Sequence, residues 1–400
     1  MNLWTLAVAD LRRYRLSNSL HLLLMALGVA LITALLLLAS QIAGRFARDA
    51  AGVDLVVGAK GSPLQLILST VYHLDIPTGN IPLDEARRWA ANPMVASATP
   101  ISLGDNARGY RIVGTTPAML ERYGARFASG RIWQAPMEAV VGADVARDGF
   151  RQDARFAGSH GLTAGGHVHA DHPYRVVGVL APTHTVLDRL ILTSLDSVWA
   201  IHADHDDHDD DAPDDGYHAD QEITALLLRY RSPIAAISLP RMINMQSKLQ
   251  AASPAFETAR LMQLLGLGFT TLKALAGVLL LTAALSIFIA LYTALEPRRY
   301  ELAVLRSLGL SRGRLVVLLW LQALVLSGAG TLLGVLLGHF AIALLGALSP
   351  QASGIRLSGT IAVAPELGLL ALPLLVGTLA AALPAWRAYR SDPATTLADG

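Results

Sequence analysis

The residues best suited to chemistry crowd one short stretch. Between Asp204 and Glu222 ten carboxylates stand without a single basic residue, interleaved with histidines that begin just ahead of them. Imidazole and carboxylate donors together suit Zn²⁺ and related divalent ions. His202, His205, His208, His218, Asp204 and Asp206 are therefore the candidate metal ligands. Histidines three apart could line one side of a helical turn or reach inward from a flexible loop. The same composition also describes a solvated acidic insertion whose charges keep it extended. A second group, His167, His169 and His172, sits beside an expected strand, where residues 167 and 169 share a face if the strand continues. His73, in Tyr72-His73-Leu74-Asp75, is expected to be a hydrogen-bonded domain histidine.

Elsewhere the residues argue against catalysis. The 400-residue chain has no cysteine, so it has no disulfide, thiolate metal site or cysteine nucleophile. Val53 to Pro63 offers glycines and Lys60, but a phosphate-binding loop needs Gly-Lys-Ser/Thr, and no Gly-Lys pair occurs anywhere. That stretch reads as a strand followed by a tight turn. No Ser/His/Asp or paired-carboxylate arrangement stands out from background spacing. A net charge of +1 gives no argument for nucleic acid.

The elements that carry these residues are set by where charge is missing. Only 16% of the chain is charged against 53% hydrophobic, and the deficit is confined to four runs: Leu20–Gln41, Ala274–Leu295, Leu315–His339 and Leu367–Ala385. About 20 apolar residues in a helix cross a ~30 Å hydrocarbon core. The pattern predicts one N-terminal and three C-terminal membrane helices around a large polar region. The first run is preceded by Arg12, Arg13 and Arg15 but followed by a poor cleavage site, so it is read as a retained anchor. Arginines cluster before the first run, between the second and third, and after the fourth, which predicts both termini in the cytoplasm and residues ~45–255 outside. Gly330, Gly334 and Gly338 put small residues on one face of the third helix, where another helix can approach closely. Glu366 is expected near the outer end of the fourth, reaching water. His21 and His339 are expected to be packing or interface residues.

Short β-like runs with turn signals make the external region α+β, with room for two subdomains. Strands are expected at 111–114, 139–142, 174–179, 190–192 and 222–230, and a helix at 83–91. A helix from Arg241 to Gln250 is expected to run on toward the second membrane span, kinked or broken at Pro254. The division expected is 1–44 for the cytoplasmic N-terminus and first span, 45–255 for the external domain, and 256–400 for the remaining spans, the connector and the C-terminus.

The sharpest motif is the connector from Glu296 to Arg312. Pro297 suits a helix start, Leu302, Leu305 and Leu308 recur every third residue, Gly309 can end the helix, and Ser311 can cap the next. The residues alone leave two readings open: a helix docked in a groove on a soluble partner, or one resting on lipid headgroups.

The run Arg299-Tyr300-Glu301-Leu302-Ala303-Val304-Leu305-Arg306-Ser307-Leu308-Gly309 resembles the coupling segment of FtsX/MacB-type ABC transporter permeases. Pro384-Ala385-Trp386-Arg387-Ala388 and Ser391-Asp392-Pro393-Ala394 resemble the end of that family's last helix. Ile112-Val113-Gly114-Thr115-Thr116-Pro117 and Ser129-Gly130-Arg131 are similar to phrases of its external domain. The resemblance covers essentially the whole chain, though no ATPase is fused to it. It implies a non-catalytic, LolC-like four-helix subunit of the bacterial inner membrane, working with a separate ABC ATPase that holds ATP and Mg, and with a second permease copy or paralogue. Movements of the external domain would then serve a hydrophobic, peptide-like or lipoprotein cargo, with a periplasmic adaptor or lipoprotein as a further partner. By matching position, Arg299, Glu301, Leu302, Leu305, Arg306 and Gly309 are the ATPase-coupling residues. Two alternatives remain: an FtsX-like regulator that activates an external partner without transport, and a metal-responsive membrane sensor.

Overall fold

The computed structural model describes residues 15–161, 171–206, 221–295, 311–348 and 357–390, together with Trp4, Thr5, Ala7, Ala9 and Arg12. The chain divides into two units, one of residues 1–42, 265–349 and 356–400, the other of residues 43–264 and 350–355.

The described elements begin with α1 (Arg15–Asp49), β1 (Leu55–Ala59), α2 (Pro63–Thr70), β2 (Ile81–Pro82) and α3 (Leu83–Ala90). Then come β3 (Val95–Ala107), β4 (Tyr110–Thr115), α4 (Ala118–Arg122), β5 (Phe127–Gly130), β6 (Glu138–Val141) and α5 (Ala143–Arg147). Next are β7 (Arg155–Phe156), β8 (Ser159–His160), β9 (Tyr174–Leu180), β10 (Leu190–Ser194) and α6 (Leu195–Asp206). β11 (Glu222–Ile223), β12 (Ala225–Tyr230), α7 (Pro233–Gln246) and β13 (Leu249–Ala252) complete the α+β unit. α8 (Pro254–Leu295), α9 (Arg312–Leu348) and α10 (Leu372–Arg390) follow.

The α+β unit is built on one sheet in the order β13-β1-β12-β3-β4-β10-β6-β9-β5, with β7 on β9 and β8 on β3, while β2 and β11 form a separate pair. β4 with β10 and β6 with β9 run parallel; the other neighbours are antiparallel. Both faces are covered, which is why the strands read as continuous apolar runs rather than alternating ones. Val56, Val113 and Leu227 join one core, and their neighbours Leu55, Val57, Leu226 and Leu228 join a second on the opposite face. Ile112, Val141, Tyr174 and Ile191 form a third cluster. The two subdomains of the sequence reading are thus joined by one sheet, with separate cores on one of its faces.

Two expectations about this unit need correction. Leu249–Ala252 is not the tail of a helix but a strand paired with β1, and Pro254 begins α8 instead of kinking it. A proline in the first turn loses no intrahelical bond, because that N–H has no partner there. After β1 the chain turns into α2, where the Ser62 side chain accepts from the Gln65 N–H and Pro63 stands at the helix start.

In the other unit, α1, α8 and α9 are long and apolar enough to cross a membrane. α10 is shorter: its 19 residues span about 28 Å, and the preceding part of the fourth apolar run forms a 3₁₀ helix, Ala364–Ala371. Met25 and Val29 of α1, Ala283 and Ile287 of α8, Ala323 and Leu326 of α9, and Ala380 and Ala381 of α10 share one buried core. The opposite side of α8 exposes Leu275, Val278, Leu281 and Leu285, as a lipid-facing surface does.

Candidate functional site

The segment expected to meet an ATPase, including Arg299, Glu301, Leu302, Leu305, Arg306 and Gly309, lies outside the described residues. Its flanks are α8 and α9, and Ser311 accepts from the Arg314 N–H at the start of α9 through both its carbonyl (3.1 Å) and its hydroxyl (3.4 Å). His208 and His218 also lie outside the described residues. His202, Asp204, His205 and Asp206 fall on the last turns of α6. Among the described residues no group of three histidine or carboxylate side chains is placed to hold a metal ion.

Gly330, Gly334 and Gly338 face α1. A Cβ on Gly330 would stand 2.7 Å from the Met25 side chain; on Gly334, 2.6 Å from Val29 Cβ and 2.7 Å from the Ala26 carbonyl; on Gly338, 2.6 Å from Thr33 Cβ and 2.9 Å from the Ala30 carbonyl. Glycine lets the two backbones meet, and the constant step along both helices shows that α1 and α9 run parallel.

Polar groups lace this bundle at two depths. His21 of α1 holds Ser17 Oγ at 2.9 Å through Nε2 and Ser286 Oγ of α8 at 2.5 Å through Nδ1. Near the other end of α1, Gln41 donates to the Ser358 carbonyl (2.9 Å) and accepts from the Ser358 N–H (2.8 Å). Next to it, His339 Nδ1 stands 2.7 Å from the Gly359 carbonyl and Nε2 stands 3.2 Å from Glu366 Oε2. A carbonyl only accepts, so Nδ1 carries a proton; the Nε2–Oε2 contact then needs one further proton, on either partner. Glu366 was expected to reach water, but its side chain is only 12% exposed and Oε1 has no partner among the described residues. Ionisable residues in apolar runs are a sequence signal for such a site. Which of them pair across 27 positions is not.

In the α+β unit, the last turns of α1 and the first turns of α8 are rooted in the domain. Both meet Tyr72: the Phe46 ring packs edge-on at 4.5 Å, and Thr258 Oγ1 lies 2.5 Å from the tyrosine hydroxyl. Tyr123 donates to the Asp49 carbonyl at 2.6 Å. Beneath them Arg189, 7% exposed, donates to the Tyr72 carbonyl at 2.6 Å and lies 3.5 Å from the buried Asp49 carboxylate, which Arg45 approaches at 3.6 Å. Burial, aided by repulsion from Arg45, lowers the Arg189 pKa to about 10, so the guanidinium stays charged at neutral pH.

His73 corrects another expectation. It is buried in left-handed backbone (φ 52°), but neither ring nitrogen finds a hydrogen-bond partner among the described residues. Burial first, then Arg111 and Arg189, hold its pKa well below the usual histidine value, so the ring is neutral.

Together these observations define a membrane protein with a four-helix bundle and a mixed α+β domain inserted between its first and second helices. Residues 19–236 match the family profile of the MacB-like periplasmic core domain, and residues 273–393 that of the FtsX-like permease C-terminal domain. The chain belongs to the FtsX/MacB-type ABC transporter permease family. No curated protein matches it significantly. Among solved structures, it is similar to the periplasmic region of MacB from Actinobacillus actinomycetemcomitans (11% identity, 54% of this chain and 95% of that one, TM-score 0.34). It is also similar to the extracellular domain of the noncanonic ABC-type transporter YknZ from Gram-positive bacteria (9% identity, 50% and 99%, TM-score 0.31). Permeases of this family are the membrane components of ABC transporters and work with ATPase partners.

Proposed function

We propose that this chain is the non-catalytic membrane subunit of an ABC assembly whose ATPase is a separate chain. Both termini and the 296–310 segment face that ATPase, and Glu301, Arg306 and Gly309, with Arg299, Leu302 and Leu305, form the contact. ATP and Mg are held in the partner, and two permease chains, identical or paralogous, complete the assembly. Closure of the ATPases moves the membrane helices, and the motion reaches the extracytoplasmic domain to act on a hydrophobic, peptide-like or lipoprotein cargo.

The observation that carries this reading is the rooting of α1 and α8 in the domain through Tyr72. Each of the two helices is unbroken from its apolar span into that root. An unbroken helix, with its fixed rise of about 1.5 Å per residue, offers a continuous path along its axis. A plain membrane anchor has no need of two such rods meeting at one buried side chain.

The test is a pulldown of the tagged, detergent-solubilised chain from its native membrane. An ABC ATPase should co-purify, and Glu301→Ala/Arg306→Ala should release it. Tyr72→Ala should leave the ATPase bound while blunting the stimulation of ATP turnover by cargo. If no ATPase appears under mild conditions, the reading is wrong. If a protein partner and not cargo stimulates turnover, the chain is a regulator of that partner.

A further inference from the structure

We propose that the chain binds an anionic phospholipid in a cavity between α1 and α9, at the membrane surface where α1 begins. The cavity, about 480 Å³, is lined by Arg12, Arg15, Asn18 and Ser19 on one side and by Leu22, Val325, Leu326 and Ala329 on the other.

Its origin lies in the glycine face. From Gly330 to Gly338 the two helices touch at their backbones. On the N-terminal side of Gly330, Val325, Leu326 and Ala329 of α9 line the cavity. There side chains replace the glycine contact, and ridges of larger residues no longer let the two backbones meet. The register of the parallel pair sets the depth. With Gly330 against Met25 and Gly334 against Val29, Arg15 falls level with Trp320 of α9. Trp320 donates from Nε1 to Thr378 Oγ1 of α10 at 3.1 Å, leaving an indole with one polar and one apolar side, the arrangement that marks the headgroup layer.

The chemistry of the cavity is therefore graded. At headgroup depth it offers two guanidiniums, both exposed, with Arg15 Nε donating to the Arg12 carbonyl at 3.2 Å. Asn18 and Ser19 follow at the depth of the glycerol esters. About 10 Å beyond Arg15 along α1, at Leu22, the walls are apolar. A phosphate diester with acyl chains matches this order of charge, amide and hydroxyl, then hydrocarbon, and basic clefts between membrane helices take such headgroups. A soluble anion would leave the apolar half unfilled.

The test uses the full chain, reconstituted in vesicles of equal phosphatidylcholine and phosphatidylglycerol, re-extracted gently and weighed by native mass spectrometry. The wild type should retain phosphatidylglycerol over phosphatidylcholine by about thirtyfold, the factor supplied by two hydrogen bonds to the headgroup worth about 1 kcal/mol net each. Two variants should each abolish the preference: Arg12→Gln/Arg15→Gln, which removes the charge, and Ala329→Phe, which fills the cavity from an exposed position and keeps both arginines. Excess inorganic phosphate should not displace the lipid. Preference that survives Ala329→Phe would reduce the effect to general surface attraction and overturn the proposal. So would preference that survives loss of both arginines, displacement by inorganic phosphate, or equal retention of the two lipids by the wild type.

Discussion

Gly334→Ala should weaken the membrane bundle in a way that its near neighbour Gly328→Ala does not. Both glycines lie in α9, and both substitutions gain the same intrinsic helix preference, about 1 kcal/mol. A Cβ on Gly328 meets nothing within 4 Å, whereas on Gly334 it would stand 2.6 Å from Val29 Cβ and 2.7 Å from the Ala26 carbonyl. Carbon atoms pack at about 3.5 Å or more, so α1 and α9 must separate by about 1 Å at this point. The obstacle includes backbone, which cannot swing aside as a side chain can, and overpacking of this kind costs about 1–3 kcal/mol. The difference between the variants cancels the helix-preference term and leaves only the packing. The assay is thermal unfolding of the purified full chain in detergent. Gly328→Ala should match or exceed the wild type, and Gly334→Ala should unfold several degrees below it. Gly330→Ala should fall between, because the nearest backbone atom it would meet, the Leu22 carbonyl, stands at 3.4 Å and not at 2.7 Å. Equal midpoints for the 328 and 334 variants would refute the close approach of α1 and α9.

Arg189→Met should leave the buried Asp49 carboxylate with only the longer Arg45 contact and destabilise the α+β unit by about 1–3 kcal/mol, seen as faster proteolysis of that unit. Two acid effects should be separable in pH-dependent unfolding. Hydrogen bonds from Arg131 hold the Glu138 carboxyl at about 2, down from 4.5. A depressed carboxylate contributes stability above its ordinary pKa that is lost as pH falls toward 2, so Arg131→Met should flatten that limb. The neutral His73 acts at higher pH: the unfolded chain takes up a proton near 6.5 that the folded chain refuses, so stability declines below that pH. His73→Asn, which tolerates the left-handed backbone, should remove that decline. Finally, His339→Gln and Glu366→Gln should be non-additive by about 0.5–3 kcal/mol in a double-mutant cycle of thermal stability, since the two side chains share a proton; additive losses would show that they do not interact.

The membrane class, the one-plus-three order of apolar runs and the inserted α+β domain were legible in the chain itself, and each depends on composition that is local along the sequence: charge depletion over about 20 residues and arginines at the ends of runs. The permease family was legible through the resemblance of short motifs, 299–309 foremost. What tertiary structure alone decided are pairings between distant positions. Leu249–Ala252 looks helical beside its neighbours, but pairing with β1 makes it a strand. His73 reads as an ordinary domain histidine, yet folding leaves both its ring nitrogens without a hydrogen-bond partner among the described residues and brings two arginines near. Glu366 reads as a residue reaching water, yet folding turns it onto His339. Tyr72 carries no signal in its own neighbourhood, but Phe46 and Thr258 converge on it from opposite ends of the inserted domain. Burial and partnership are properties of a surface assembled from many segments, and local composition constrains the surface without choosing which segments meet on it.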